Sequence, residues 1–341
     1  MIYAMFNSLN MAFFSFFATL KIQGGLAMKK IILATRNFRD TYVEQMEKDY
    51  QFIVYSKDQA IDWSQVEITI GWKPAWNEHL LTEKTNLKWV QAISAGVDTL
   101  PLKEFAKYDI LLSNGSGIHA ESITDHLLAL LFMENRGIFQ AIQQQRKQQW
   151  APDTIPYAKL SDQEILIVGT GQIGQRLAKA LTFFGVHPIG INTSGHEVAG
   201  FEKTFALSDL HACAKTADCI INILPLTEET THLYDEAFFA QMKPSASFYN
   251  VGRGPSVDTA ALTKALEKKQ LAFAALDVFE EEPLPENNPL WHTENLLITP
   301  HISGHTPHFQ KAFMDIFLAN FQQFLTKQEL VKNEINLDKG Y

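Results

Sequence analysis

The sequence predicts an α/β fold of doubly wound parallel sheets arranged in two successive domains, and three observations carry that prediction. Short apolar runs alternate with polar, helix-capable stretches along most of the chain. Near its middle, one apolar run feeds straight into a glycine turn and then a helical pattern. The chain has 341 residues, a length that suits two domains. Alternating strands and helices argue for parallel strands, whose crossovers need a helix and lay it on a sheet face.

In the first series, Ile31–Ala34, Phe52–Tyr55, Ile68–Ile70, Trp89–Ile93 and Ile110–Ser113 read as strands, with a short helix from Pro101 to Tyr108. Ser94-Ala-Gly-Val-Asp98 is a small-residue turn directly after a strand, and Ser113–Gly117 is a loop. One long helix is expected from Ala120 to about Gln149, with Ile123, Leu127, Leu128, Leu131 and Phe132 at helical spacing. The second series starts at Glu164–Val168. It continues through Cys219–Leu224, Ser247–Val251, Ala272–Leu276 and Leu296–Thr299, and an amphipathic helix from Phe309 to Leu325 closes it.

The N-terminal run from Met11 to Leu20 is apolar but far shorter than the ~20 residues of a spanning helix. It has no basic residue before it, so it lacks a signal peptide's n-region. Gln23-Gly24-Gly25 can be encoded by a purine-rich stretch resembling a ribosome-binding sequence, and Met28-Lys-Lys-Ile-Ile-Leu33 reads as a start followed by a first strand. Met28 is therefore the expected start, with 1–27 a non-native extension.

Composition narrows the function. With 46% hydrophobic and 20% charged residues, the chain has the balance of an ordinary globular protein. Its net charge of −9 disfavours nucleic acid and anionic membrane, so a small anionic substrate would need a local cationic pocket. Two cysteines, Cys213 and Cys219, allow neither a disulfide framework nor a cysteine metal cluster. A cytoplasmic location and no metal are expected.

The glycine turn is Gly169-Thr-Gly171-Gln172-Ile173-Gly174. It follows Ile165–Val168 and precedes a helical pattern from Gln175 to Phe184, which is the context a dinucleotide cradle requires. Gly169 permits the tight turn, Gly171 lets backbone approach a pyrophosphate, and Gly174 lets helix pack on strand. The helix N-terminus then offers unpaired N–H groups to phosphate. The next strand, Pro188–Ile191, ends at Asn192, where NAD enzymes place an acid for the ribose 2′-OH. Asn192, Thr193, Ser194, Gly195 and His196 hold no carboxylate to repel a 2′-phosphate, which favours NADP(H). The alternative is that Asn192 caps the turn and NAD(H) binds as well.

Three polar groups stand at later strand ends: Arg253 in Asn250-Val-Gly-Arg-Gly254, the acidic run Glu280-Glu-Glu282, and His301 after Thr299-Pro. Ligands of doubly wound sheets sit outside the carboxyl ends of the strands. A guanidinium suits a substrate carboxylate. An imidazole suits proton delivery to a carbonyl oxygen that gains charge as hydride arrives. A neighbouring carboxylate would orient the ring and favour its protonated form. Singly, these residues read as a surface arginine, a solvated acidic loop and a loop histidine; their joint placement points to reduction of a 2-oxo acid. His305 and His308 compete for the acid role, but His301 directly follows the strand.

Ser94–Asp98, Gly169–Gly174, Leu224-Pro-Leu-Thr-Glu-Glu-Thr230, Met242-Lys-Pro244, Asn250–Gly254, Leu276–Leu284 and Thr299–His301 together resemble the D-isomer-specific 2-hydroxyacid dehydrogenases, from about Lys29 to the C-terminus. The resemblance implies two Rossmann-like domains with the active site in the cleft. A substrate domain would comprise 28–118 and 304–341, and a dinucleotide-binding domain 119–303. It implies Arg253 as substrate arginine, Glu282 as the carboxylate partner and His301 as acid/base. Gly96 and Val97 would hold the substrate carboxylate. Leu224, Pro225, Thr230, Val251, Gly252 and Asp277 would line the cofactor site, Asp277 at the nicotinamide amide. It further implies a homodimer.

Gly71-Trp72-Lys-Pro74, Pro289-Leu-Trp291 and Lys339-Gly-Tyr341 are similar to the glyoxylate/hydroxypyruvate reductase subgroup, which implies small 2-oxo acids and NADPH. Trp72 would then crowd the substrate pocket, or else serve the core. Thr124-Asp125-His126 stands where the family tends to carry Ala-Glu-His. Family relatives that sense dinucleotides without turnover are the competing class, and formate or phosphite oxidation a more distant one.

Overall fold

A computed structural model of the chain describes residues 29–339. The expected start at Met28, the extension 1–27 and the terminal Gly340–Tyr341 lie outside the described residues. The chain falls into two compact units, one ending at Val90 and the other running from Gln91.

The first unit holds β1 (Ile31–Ala34), α1 (Asp40–Met46), β2 (Gln51–Val54), β3 (Val66–Ile70), α2 (Asn77–Leu80) and the start of β4 (Trp89–Gln91). β1 pairs in parallel with β2 and with β3. All four residues of β1 and all five of β3 are buried, as central parallel strands covered on both faces require. Trp72 donates from Nε1 to Asn77 Oδ1 at 3.0 Å, and its ring meets Trp76 edge-on at 5.8 Å.

The second unit contains α3 (Leu102–Lys107), β5 (Leu111–Ser113), α4 (Ala120–Asn135), α5 (Ile138–Arg146), β6 (Ile165–Val168), α6 (Gln172–Phe183), β7 (Ile189–Asn192), β8 (Lys203–Ala206), α7 (Leu210–Ala214), β9 (Cys219–Asn222), α8 (Glu236–Phe239), β10 (Ser247–Asn250), α9 (Thr259–Glu267), β11 (Phe273–Leu276), β12 (Leu296–Ile298) and α10 (Phe309–Lys327). Its seven-stranded sheet runs β12-β11-β10-β9-β6-β7-β8, and every recorded pairing is parallel. Alternate residues of β6, β9, β10, β11 and β12 feed two cores. Leu166, Val168, Ile220, Phe248 and Ala274 face one, while Ile165, Ile167, Ile221, Tyr249 and Ala275 face the other. A period of two with both sets apolar is the mark of a sheet covered on both sides.

The single helix expected from Ala120 to Gln149 is two helices. The chain breaks at Gly137, whose φ is +63°, and a Cβ there would lie 2.1 Å from Ile155 Cγ2 and 2.6 Å from the Pro156 carbonyl. Glycine is needed because a distant segment crosses at that point. β8, a four-residue strand at the sheet margin, is not predicted from the sequence.

Candidate active site

Parallel strands place all their carboxyl ends on one edge. After β6 the chain turns one way to β7, and β9 lies on the other side of β6, so the order reverses between β6 and β9. That is where doubly wound sheets open a crevice for ligands. Gly169 leaves β6 at φ +113°, a conformation that side chains other than glycine rarely adopt, and a Cβ there would lie 3.2 Å from the Ile223 carbonyl carbon after β9. A Cβ on Gly174 would lie 2.1 Å from the Gly169 carbonyl oxygen. Gly171 differs: a Cβ there meets nothing within 4 Å. No neighbour demands glycine at that position, which leaves space above the start of α6. Gly171 is the N-cap, no side chain caps the helix, and its first turn has no acid. Unpaired N–H groups and the positive end of the helix dipole face that space, and they fit a dinucleotide pyrophosphate.

The contrast gives a paired prediction. Gly174→Ala should lower thermal stability and dinucleotide affinity together, because its methyl collides with backbone. Gly171→Ala should leave the melting temperature within about 2 °C and weaken NADPH binding by about tenfold or more, because its methyl meets only ligand. Thermal shift and fluorescence titration measure both.

The loop after β9 is shaped from inside. Asn222, fully buried, donates to Asn250 Oδ1 and Ser256 Oγ, both at 2.9 Å, and accepts from Leu224 N and the Tyr234 hydroxyl. Thr230 donates to the Pro225 carbonyl at 2.8 Å and accepts from Thr227 N at 2.7 Å. Leu224, Pro225 and Thr230 thus form one braced loop facing Gly169. Val251 N donates to the Asn222 carbonyl, and a Cβ on Gly252 would lie 2.7 Å from the Leu224 carbonyl oxygen. Gln172 and Ile173 open α6; Ile173 packs on the core, and the Gln172 amide lies near Gly117.

Arg253 follows β10. Its Nη1 donates to the Gly252 carbonyl at 2.8 Å and its Nε to Asp98 Oδ1 at 3.4 Å. The guanidinium passes so close to Gly96 that a Cβ there would sit 1.7 Å from Nη2. The Ser94–Asp98 turn and Arg253 are therefore packed together, and Val97 within the turn is buried. Gly96→Ala should displace the guanidinium and raise KM for a 2-oxo acid by about tenfold or more, by removing a charge-assisted contact. Steady-state kinetics with NADPH saturating checks it.

The acidic run is sorted by its partners. Glu280 binds His232 Nε2 at 2.7 Å and Thr259 N at 3.0 Å. Its two partners hold its carboxyl below the usual range, against the opposing effect of partial burial. Glu282 instead accepts from Phe279 N at 2.9 Å through one oxygen and meets His301 Nδ1 at 2.7 Å through the other. His301 sits in the left-handed region at φ +52°. With Nδ1 engaged, Nε2 is the ring atom left to exchange a proton.

Asp277 holds the His301 loop in place. Fully buried, it accepts from Thr299 Oγ1 at 2.5 Å and Ile302 N at 3.0 Å on Oδ1, and from Ser303 N at 2.9 Å on Oδ2. Its carbonyl accepts from His301 N at 2.9 Å. His126 Nε2 on α4 stands 3.3 Å from Thr299 Oγ1 and 4.0 Å from Asp277 Oδ1. Burial pushes that ring below the usual histidine range, and Asp277 opposes the shift in part. Sequence alone does not single out Asp98, Asn222, His126 or Thr299. Asp98 belongs to the Ser94–Asp98 turn, but its arginine partner is 155 residues away. Among the described residues, no group of three or more His, Cys, Asp or Glu side chains could hold a metal ion.

Residues 128–303 match the family model described as D-isomer specific 2-hydroxyacid dehydrogenase, NAD binding domain. The chain is 32% identical to glyoxylate/hydroxypyruvate reductase B of Escherichia fergusonii over 290 residues, covering 82% of this chain and 90% of that protein. It is 41% identical to the crystal structure of phosphoglycerate dehydrogenase from Lactobacillus plantarum, at a TM-score of 0.55, covering 90% of this chain and all of that one. A D-isomer specific 2-hydroxyacid dehydrogenase from Xanthobacter autotrophicus, solved with NADPH and MES, matches at a TM-score of 0.79 and 25% identity, covering 92% of this chain and all of that one. The glycine cradle, the Arg253 turn and the His301–Glu282 pair thus stand in a chain that belongs to the D-isomer-specific 2-hydroxyacid dehydrogenase family of NAD(P)-dependent oxidoreductases and is closely related to its glyoxylate/hydroxypyruvate reductases.

Proposed function

We propose that this enzyme reduces a small 2-oxo acid of the glyoxylate or hydroxypyruvate kind to the D-2-hydroxy acid, with NADPH as the favoured reductant, NADH the weaker one, and His301 as acid/base. The observation that carries the reading is the His301–Glu282 pair, 2.7 Å apart, on the same sheet edge as Arg253 and the glycine cradle. Bound nicotinamide supplies the hydride. Arg253 holds the substrate carboxylate, assisted by backbone at Gly96 and Val97. His301 gives its Nε2 proton to the carbonyl oxygen as charge builds there, and Glu282 fixes the ring. Asp277, fully buried with both carboxylate oxygens engaged, acts by setting the His301 loop, and any contact with the nicotinamide amide is made through that loop.

NADPH is favoured because Asn192, Thr193 and Ser194 present no carboxylate to a 2′-phosphate. Relatives solved with this dinucleotide agree: the Xanthobacter autotrophicus protein holds NADPH, and a probable 2-hydroxyacid dehydrogenase from Rhizobium etli holds NADP. The functional division is a substrate domain of 28–118 and 304–341 around a dinucleotide domain of 119–303, within which the matched family segment lies.

The enzyme works in the cytoplasm as a homodimer. Trp150, Tyr157 and Phe183 are each more than 80% exposed on the second unit, and large apolar side chains left in water suit contact with a second copy. No helix among the described residues is long and apolar enough to cross a membrane. Initial rates with glyoxylate, hydroxypyruvate, pyruvate and bulkier 2-oxo acids, each against NADPH and NADH, test the assignment. The smallest substrates with NADPH should give the highest kcat/KM; a preference for bulky 2-oxo acids or for NADH would overturn it.

A further inference from the structure

The loop that leaves β7 is built to present one imidazole. Asn192 is buried and spends its side chain on the loop itself. Its Oδ1 accepts from Ser194 N at 3.2 Å and Gly195 N at 2.7 Å, and its Nδ2 donates to the His196 carbonyl at 2.8 Å. Thr204 Oγ1, on β8, donates to that same carbonyl at 2.8 Å. Two neighbouring strands therefore pin the backbone of His196 while its ring stays exposed. Ser194 Oγ lies 3.1 Å from His196 Nδ1 and sets the ring's direction, and Nε2 has no hydrogen-bond partner among the described residues. The loop starts at the carboxyl end of β7, beside β6, whose own carboxyl end opens into the Gly169–Gly174 turn.

We propose that the Ser194–His196 pair reads the 2′ position of the dinucleotide's adenosine ribose, His196 supplying the charge that favours a 2′-phosphate over a 2′-hydroxyl. This rests on the reading above that the chain favours NADP(H). From Asn192 to Glu202 the sequence holds no lysine or arginine, and its carboxylates are Glu197 and Glu202. His196 is therefore the one side chain of this loop able to carry positive charge. A phosphate monoester carries nearly two negative charges at neutral pH and favours the protonated form of an imidazole beside it. The resulting charge-assisted hydrogen bond is about twice as strong as a neutral one. Without His196 the hydroxyls of Thr193 and Ser194 remain, and these serve a ribose hydroxyl and a phosphate alike. Asn192, at the strand end where recognition was expected, acts through the shape of the loop.

Calorimetric titration of the full chain with 2′,5′-ADP and with 5′-AMP tests this without hydride transfer, since both probes carry the adenosine and differ in the 2′-phosphate. The wild-type protein should bind 2′,5′-ADP about tenfold or more tighter than 5′-AMP, as one charge-assisted contact implies. His196→Ala should bring that ratio to about one while 5′-AMP affinity stays within about twofold, which also reports an intact fold. His196→Arg should keep the preference. A His196→Ala protein that retains the wild-type ratio overturns the assignment of His196 and leaves NADP(H) binding standing. A wild-type protein that does not distinguish the probes overturns both.

Discussion

His301→Gln is expected to lower kcat with small 2-oxo acids by about 10²–10⁴-fold, the range that general acid catalysis supplies. Glutamine keeps a polar side chain of similar reach but cannot deliver a proton to an oxygen that becomes an alkoxide. The left-handed backbone at position 301 is held by Asp277 through His301 N, Ile302 N and Ser303 N, none of which the substitution removes. The loop should therefore keep its form, and NADPH affinity by fluorescence titration should change by no more than about threefold. A loss in kcat with unchanged cofactor binding separates chemistry from assembly. Equal kcat in the two proteins would remove His301 from the acid role and return attention to His305 and His308.

Arg253→Ala should lower kcat/KM by about 10²–10³-fold, most of it in KM, because a guanidinium–carboxylate contact binds substrate and transition state alike. Lysine should not restore it. The guanidinium spans the Gly252 carbonyl, Asp98 and the face of Gly96, and a point charge on a flexible stem cannot meet all three while holding a carboxylate. The Gly169–Gly174 turn follows β6, while only Val251 and Gly252 of the cofactor lining share the Arg253 loop, so NADPH affinity should fall far less than substrate affinity and is the comparison. An Arg253→Ala protein with wild-type KM would place the substrate carboxylate elsewhere.

The central strands of the second unit were legible because their residues alternate between two apolar cores, so each reads as a short apolar run whichever face is considered. The cradle was legible because its glycines sit at fixed steps between a strand and a helix. What escaped was set by contacts distant in sequence. Gly137 reads as a tolerable glycine within a helix until Ile155 and Pro156 are seen to occupy the space of its side chain. Lys203–Ala206 has an exposed lysine, a threonine and no fully buried residue, so it shows no apolar run. Nothing local distinguishes Glu280 from Glu282; the first is claimed by His232 and Thr259, the second by His301. Family resemblance, not spacing, pointed to Glu282 in advance. Asn192 was expected as a ligand contact, and only its hydrogen-bond partners show it turned into the loop.

In the proposed reaction one sheet edge joins a hydride donor, a substrate arginine and a histidine acid to make a D-2-hydroxy acid. Incubation of the wild-type protein with NADPH and hydroxypyruvate, followed by chiral chromatography of the product, checks this. D-Glycerate should form mole for mole with NADPH oxidised. L-Glycerate, or tight NADPH binding with no turnover of hydroxypyruvate, glyoxylate or any larger 2-oxo acid, would contradict it, and the second outcome would mark a dinucleotide sensor built on this fold.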